Sequence, residues 1–221
     1  MITLLTRDYG VQSVRAPLKQ SKRGGKDLLE PLHSYDCELG LRERDVARLV
    51  GCQMSISRDA LTLSAARLEA AGTWTRVLRE SLWPGAADEE LFAVVEGLLD
   101  ELLHGSDAQA HAIVVRGHAR LLFVLGYAFE TTRCVVCGRP RSPHRPAHVD
   151  GLKGGVVCSS CASAQPVVSA EALAWVTGES EASAAPTDDE LYVLAQVLRE
   201  SLALHARGDS QPPPPVLRSR A

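Results

Sequence analysis

The sequence has few aromatic residues, little net charge and no long apolar stretch. Phe, Trp and Tyr make up 5% of the 221 residues, and the formal net charge is only −3. No segment approaches the roughly 20 consecutive apolar residues that a membrane-spanning helix needs, and the opening residues, MITLLTRDYGV, are too polar for a secretory signal. With an ordinary hydrophobic content of 45%, these absences predict a soluble, cytoplasmic globular protein.

Motifs of common enzyme families are also missing from the sequence. It contains no G-x-S-x-G, no H-E-x-x-H, no dinucleotide fingerprint and no P-loop. The carboxylates of residues 88–101 are expected on one solvated face of a helix. We therefore expect no enzymatic activity and no small-molecule substrate.

Charges of one sign are grouped along the chain. Residues 1–26 contain six Lys and Arg and one acid, and residues 133–153 contain five Lys and Arg and one acid. Residues 88–107 contain seven acids and neither Lys nor Arg. This separation predicts basic surfaces that face an anionic partner, with an acidic helix elsewhere.

The apolar pattern changes from strand-like to helix-like near residue 58. Short alternating segments before that point, with a turn at residues 8–10 and a bulge near Gly51, predict β-structure. Three- and four-residue periodicity then predicts a helix from about Arg58 to residue 82, a second from Asp88 to Gly105, and a buried third at 109–127. Shorter segments predict helices at 169–176 and 187–206, the last opened by a Thr187–Glu190 capping box.

These patterns predict an α+β protein. Its expected parts are a β domain at residues 1–57, a helical domain at 58–206 and a disordered, Pro-rich tail at 207–221.

Four of the six cysteines form two C-x-x-C pairs, Cys134 with Cys137 and Cys158 with Cys161, separated by 20 residues. This spacing is typical of structural zinc sites, in which two turns present four thiolates to one ion. The pattern predicts one structural Zn²⁺ per chain, held by an element at residues 133–162. A redox or disulfide pair is the alternative. His144 and His148 are expected to be loop histidines, and Cys37 and Cys52 small buried hydrophobes.

A basic, glycine-containing stretch follows the first predicted hairpin. Its cations surround Gly24 and Gly25 without an acid, and they are Arg15, Lys19, Lys22, Arg23 and Lys26. Such a loop can contact phosphates, but it can equally be a solvated flexible loop. Because only Tyr9 and Tyr35 precede Trp74 among the aromatics, base stacking is expected to contribute little to any DNA binding.

In these features the chain resembles the bacterial DNA repair and recombination mediator family RecO. The resemblance rests on TLLTRDYGV at residues 3–11 with the basic run after it, on LLFVLGY at 121–127, and on C-x-x-C-G at 134–138 with G-G-x-x-C-x-x-C at 154–161. It implies an N-terminal OB-fold barrel followed by a helical domain with an inserted four-cysteine zinc element.

The resemblance also implies a function and the residues that carry it. RecO proteins bind single- and double-stranded DNA, anneal complementary strands, and assist recombinase loading with RecR and the single-strand binding protein SSB, which implies a cytoplasmic, nucleoid-associated location. The expected zinc ligands are the four paired cysteines. The expected DNA contacts are Arg7, Arg15, Lys19, Lys22, Arg23, Lys26, Arg139, Arg141 and Arg145.

The N-terminus departs from the family pattern. Family members have a first strand and turn before the TLLT segment, whereas Met1 stands almost at that segment here. An OB-fold without its first strand exposes a strand edge, so we expect a true start codon upstream.

A second hypothesis does not require DNA binding. In this hypothesis the chain is a zinc-stabilised helical adaptor, and the acidic helix at residues 88–104 is its docking surface.

Overall fold

The N-terminal part of the chain forms a four-stranded sheet, as its alternating pattern predicts. A computed structural model describes residues 1–15, 29–40, 46–85, 88–178 and 185–207. The strands are β1 (Ile2–Thr6), β2 (Gly10–Arg15), β3 (Ser34–Gly40) and β4 (Ala47–Ile56), in the order β1-β2-β4-β3. β2 pairs with β1 in an antiparallel hairpin and with β4 in parallel, and β3 pairs with β4 antiparallel.

The sheet has a small hydrophobic core of its own. Val14, Ala47 and Leu49 are buried at its centre. The predicted bulge lies beside Gly51, because Glu38 pairs with Gly51 and Leu39 pairs with Leu49, which leaves one extra residue on β4.

Five helices and a three-stranded sheet follow in the described part of the chain. The helices are α1 (Ala65–Ser81), α2 (Glu89–His104), α3 (Ala110–Val124), α4 (Ala170–Thr177) and α5 (Asp188–Arg207). The strands β5 (Ala147–Asp150), β6 (Gly155–Val157) and β7 (Val167–Val168) are arranged in the order β6-β5-β7. α3 contacts the other four helices and is the most buried, which confirms its predicted central place. No helix among the described residues has the length and apolarity needed to cross a membrane.

Side-chain caps set the ends of several helices. Asp88 accepts the backbone N–H of Leu91 at the start of α2, and Thr187 and Glu190 form the predicted capping box before α5. The prediction of a continuous helix from Arg58 was wrong. A short 3-10 helix (Asp59–Leu63) comes first, and Ser64 caps α1 by accepting the N–H of Arg67.

A buried arginine joins the sheet to the helices. Arg58, just after β4, is 1% exposed, and its guanidinium donates to Glu96 at 3.0 Å and to Asp100 at 2.7 Å on α2. The same group donates to Ser34 Oγ on β3 at 2.7 Å and to the Leu32 carbonyl. The expectation that the α2 carboxylates are simply solvated was therefore wrong for Glu96, whose side chain is 23% exposed, whereas Asp100 is 46% exposed and bound by Arg58 as well.

Candidate metal centre and nucleic-acid interface

The four paired cysteines converge on one point. The Sγ atoms of Cys134, Cys137, Cys158 and Cys161 all lie within 4.8 Å of one another, and those of Cys137 and Cys158 are 3.7 Å apart. Zn–S bonds of about 2.3 Å in a tetrahedron place the sulfurs about 3.8 Å apart. The cluster therefore fits a single metal ion with a closed shell of four thiolates.

Two tight turns present these thiols. In the first turn, the N–H of Cys134 donates to Arg139 O and the N–H of Gly138 donates to Cys134 O, with Gly138 at a φ of +73°. In the second turn, the N–H of Cys161 donates to Cys158 O. The left-handed conformation explains why a glycine follows the first cysteine pair.

A small hairpin holds the two turns together. β5 and β6 pair antiparallel, and the N–H of Val135 in the first turn donates to Val156 O on β6. At Gly155 an added Cβ would lie 2.5 Å from Val135 Cγ1 and 2.7 Å from Glu130 O. Only glycine allows the residues on both sides of the first cysteine, Glu130 and Val135, to pack this closely on β6.

The thiols do not ionise alike. Backbone N–H groups of Cys158 and Cys137 lower the pKa of Cys134 to about 6. The neighbouring side chains of Cys158 and Cys137 raise the pKa of Cys161 to about 12. Four thiolates so close together need a cation among them, which is the chemistry a divalent metal supplies.

The other cysteines and the two histidines lie outside this cluster. His144 is exposed in the loop, as expected. The expectation of a loop histidine was wrong for His148, which lies half-buried on β5 with Nδ1 3.0 Å from Gln165 O. Cys37 and Cys52 are cross-strand partners in the first sheet and are half-buried against its core.

A second group of possible ligands, Glu30, His33 and Asp59, does not suit a metal. The N–H of Arg58 donates to His33 Nδ1 at 2.9 Å. The proton of the neutral ring is therefore on Nε2, which lies 3.8 Å from Glu30 and 3.6 Å from Asp59. Because the Nδ1 lone pair accepts the Arg58 N–H and Nε2 carries the proton, the imidazole has no lone pair to offer an ion.

The arginines of the cysteine element have different surroundings. Arg141 donates to the carbonyls of Thr131, at 2.7 Å, and of Arg145, at 2.9 Å, so its guanidinium organises the loop. Arg139 and Arg145 are exposed, and Arg139 has one long contact of 3.4 Å to Ser160 Oγ. Arg139 and Arg145 are therefore better placed than Arg141 to meet an external anion.

The first sheet carries the two other predicted DNA contacts that the structure describes, Arg7 and Arg15. Arg7 is exposed, and its guanidinium carbon lies 5.3 Å from the centroid of the Phe92 ring. Arg15 is exposed at the end of β2 and is the register partner of Arg48, also exposed. The predicted contacts Lys19, Lys22, Arg23 and Lys26 lie outside the described residues.

Sequence reasoning missed Arg48 as a basic surface residue and Arg58 as a buried one. The alternating pattern of β4 could have predicted an exposed Arg48, since its neighbours Ala47 and Leu49 are buried. No local signal distinguished Arg58 from the other arginines.

Comparison with known proteins gives one family. The sequence model described as "Recombination protein O C terminal" matches residues 64–205, more than half of the chain. No curated protein matches the sequence at a significant level.

Proposed function

The chain belongs to the recombination protein O (RecO) family, and we propose that it binds single- and double-stranded DNA and anneals complementary strands. Family membership assigns it a general role as a mediator in DNA recombination and repair. The observation that carries the proposal is the extent of the match, which includes α1 to α4, nearly all of α5 and the whole cysteine element.

The sheet at residues 1–57 is the proposed DNA-binding OB-fold, and residues 58–206 form the proposed helical domain. Three features support an incomplete barrel rather than a flat meander. The sheet has its own core, and β2 pairs with β4 in parallel. Among the described residues, the edge strands β1 and β3 each pair on one side only. Its exposed Arg15 and Arg48 agree with a surface for phosphates.

The proposed mechanism is non-covalent. Arginines on the sheet and Arg139 and Arg145 on the cysteine element neutralise phosphates of two strands, which lowers their mutual repulsion and lets the bases pair. The chain needs no nucleotide hydrolysis for this role, and we propose that it is not an enzyme. Zn²⁺ is the proposed ion of the four-cysteine cluster; when bound, it cross-links the two turns and fixes the loop that carries these arginines.

We further propose that the protein acts at the nucleoid with RecR and SSB and helps to load recombinase on coated DNA. The adaptor alternative is less well supported. Glu96 and Asp100 are engaged with Arg58, and Glu101 is paired with Arg116 and Arg120, so α2 offers few free carboxylates as a docking surface.

Fluorescence anisotropy with labelled single-stranded and duplex DNA at two salt concentrations tests the proposal. Binding should weaken steeply as the salt concentration rises, because counterions are released from the phosphates when the protein binds. Protein that binds DNA should also accelerate the annealing of two complementary oligonucleotides. If folded, zinc-loaded protein binds neither single-stranded nor duplex DNA at low salt, the DNA-binding proposal is wrong and the adaptor hypothesis takes its place.

A further inference from the structure

Two exposed aromatic residues lie on chain segments that are bridged to each other where the first sheet contacts the helices. Trp83, after the end of α1, is 47% exposed, and Tyr9, in the β1–β2 turn, is 49% exposed. They are far apart in sequence, but Val11 and Pro84 form a parallel bridge, and the N–H of Gly85 donates to Val11 O at 3.1 Å. This bridge brings the chain at Trp83 beside the turn that carries Tyr9.

The turn is held in place before any ligand arrives. The N–H of Tyr9 donates to Thr6 Oγ1 at 3.1 Å, and Thr6 Oγ1 donates to Gly10 O at 2.9 Å. Arg7 lies over the ring of Phe92 on α2, which ties the same turn to the helices. Exposed aromatics on a fixed turn lose little conformational entropy when they bind.

An arginine pair lies further along the same strand. Alternation along β2 puts Val11, Ser13 and Arg15 on one face, opposite to buried Val14. Arg15 is about 14 Å from Val11 at the usual rise of a strand. Arg48 is its partner on β4.

Like charges directly opposite each other on neighbouring strands destabilise a sheet. Among the described residues, neither Arg15 nor Arg48 forms an ion pair within 4.0 Å, and the residue that pairs with Arg48 from β3 is Gly40, which has no side chain. An external anion between the two guanidinium groups would relieve this repulsion, and a phosphate is the group that two guanidinium forks suit best.

We propose that single-stranded DNA lies along the outward face of β2, with an unpaired base stacked on Trp83 and Tyr9 and a phosphate held by Arg15 and Arg48. This inference rests on the proposed DNA-binding function and adds to it a reason to prefer unpaired strands, because bases in a duplex are not available to stack. It departs from the expectation that stacking contributes little, which counted only the aromatics before Trp74 and so left out Trp83.

Anisotropy with a labelled oligothymidylate and with a duplex of the same length, on zinc-loaded full-length protein, tests the proposal. Trp83→Ala should weaken binding of the single strand by about tenfold, the effect of one lost stacked base. It should leave duplex binding unchanged, and the loss should persist at high salt because stacking is not electrostatic. Arg48→Gln should weaken binding of both DNAs at low salt, with a loss that shrinks as salt rises.

Two variants serve as matched controls. Tyr192→Ala removes an aromatic of α5 that is 65% exposed, and Arg76→Gln removes an exposed arginine of α1. Tyr192→Ala should bind the single strand as the wild type does, and Arg76→Gln should lose less affinity than Arg48→Gln.

Trp83 also supplies a direct signal, because Trp74 and Trp175 are buried. Oligothymidylate should quench the emission of the wild-type protein and have little effect on Trp83→Phe.

The outcomes separate the two proposals. If the wild type binds DNA but Trp83→Ala keeps full affinity for the single strand, or loses affinity for single strand and duplex equally, the stacking surface is wrong and the DNA-binding function stands. If the wild type binds neither DNA, the proposed function falls and this inference falls with it.

Discussion

Arg58 and Asp100 form a 2.7 Å ion pair that joins the end of the N-terminal sheet to the middle of α2. The arginine is buried, and Glu96 and Ser34 supply further acceptors for it. The sheet and the helices are thus held together by a charged group that is shielded from water.

Arg58→Ala should destabilise the protein by about 2 kcal/mol, because it removes a buried guanidinium that donates to Ser34, to the Leu32 carbonyl and to the partly buried Glu96. Asp100 is 46% exposed and stays hydrated, so it adds little to the loss. Urea denaturation followed by circular dichroism measures this loss. Arg120→Ala is the control, since Arg120 forms a more exposed pair with Glu101 and should cost less than about 1 kcal/mol. Equal losses for the two variants would show that Arg58 does not join the domains in the way described.

Cys134→Ser combined with Cys137→Ser should abolish metal binding, because two thiolates cannot complete a tetrahedral site. Zinc analysis of purified protein should give about one ion per chain for the wild type and none for the double variant. Cys37→Ser with Cys52→Ser is the matched control and should keep its zinc. A wild-type protein that is folded and free of metal would contradict the assignment.

Gly155→Ala should destabilise the cysteine element by about 2 kcal/mol, because the new Cβ would meet Val135 and the Glu130 carbonyl. Thermal unfolding of the zinc-loaded protein measures the effect. Gly97→Ala on α2 has open space around the added Cβ and should be neutral or stabilising by up to about 1 kcal/mol. A neutral Gly155→Ala would mean that the first cysteine turn does not pack on β6 so closely.

His118 makes the helical core sensitive to acid. Burial lowers its pKa to about 3 in the folded protein, and neither ring nitrogen has a hydrogen-bond partner among the described residues. The unfolded chain, with a histidine pKa of about 6.5, therefore binds more protons than the folded chain between these two values. Stability should fall as the pH drops from about 6.5 towards 3, by several kcal/mol in total.

His118→Leu should remove this contribution. The difference in unfolding free energy between variant and wild type, measured in urea from pH 7 to pH 4.5, should grow in favour of the variant as the pH falls. Acid release of the metal affects both proteins alike and cancels in the comparison. A difference that does not change with pH would show that His118 is not the buried neutral base described.

The triple variant Lys22→Glu, Arg23→Glu, Lys26→Glu tests the basic stretch that sequence alone selects. It should abolish DNA binding at low salt while leaving the circular dichroism spectrum and the melting temperature unchanged, because charge reversal repels phosphates without touching the described core. Anisotropy with single-stranded DNA measures the loss. Unchanged affinity would remove these residues from the interface.

Features that depend on local spacing were predictable from the sequence. The β1–β2 hairpin, the start of the second helix at Asp88, the Thr187–Glu190 capping box and the order of strands before helices are all confirmed. Membership of the RecO family is confirmed by the match over residues 64–205. The convergence of the four cysteines follows the two-turn pattern, whereas the identity of the ion and the DNA contacts remain predictions.

Features that depend on packing between distant segments were decided only by the tertiary structure. Nothing in the sequence around Arg58 shows that it will be buried against carboxylates 38 and 42 residues away, and nothing near Trp83 shows that it will stand beside the β1–β2 turn. A turn or a capping box is specified within a few residues, because backbone geometry links neighbours directly. A buried ion pair, or a surface formed by residues of two elements, requires those elements to pack at a particular distance and angle. The packing of the whole core determines that distance and angle.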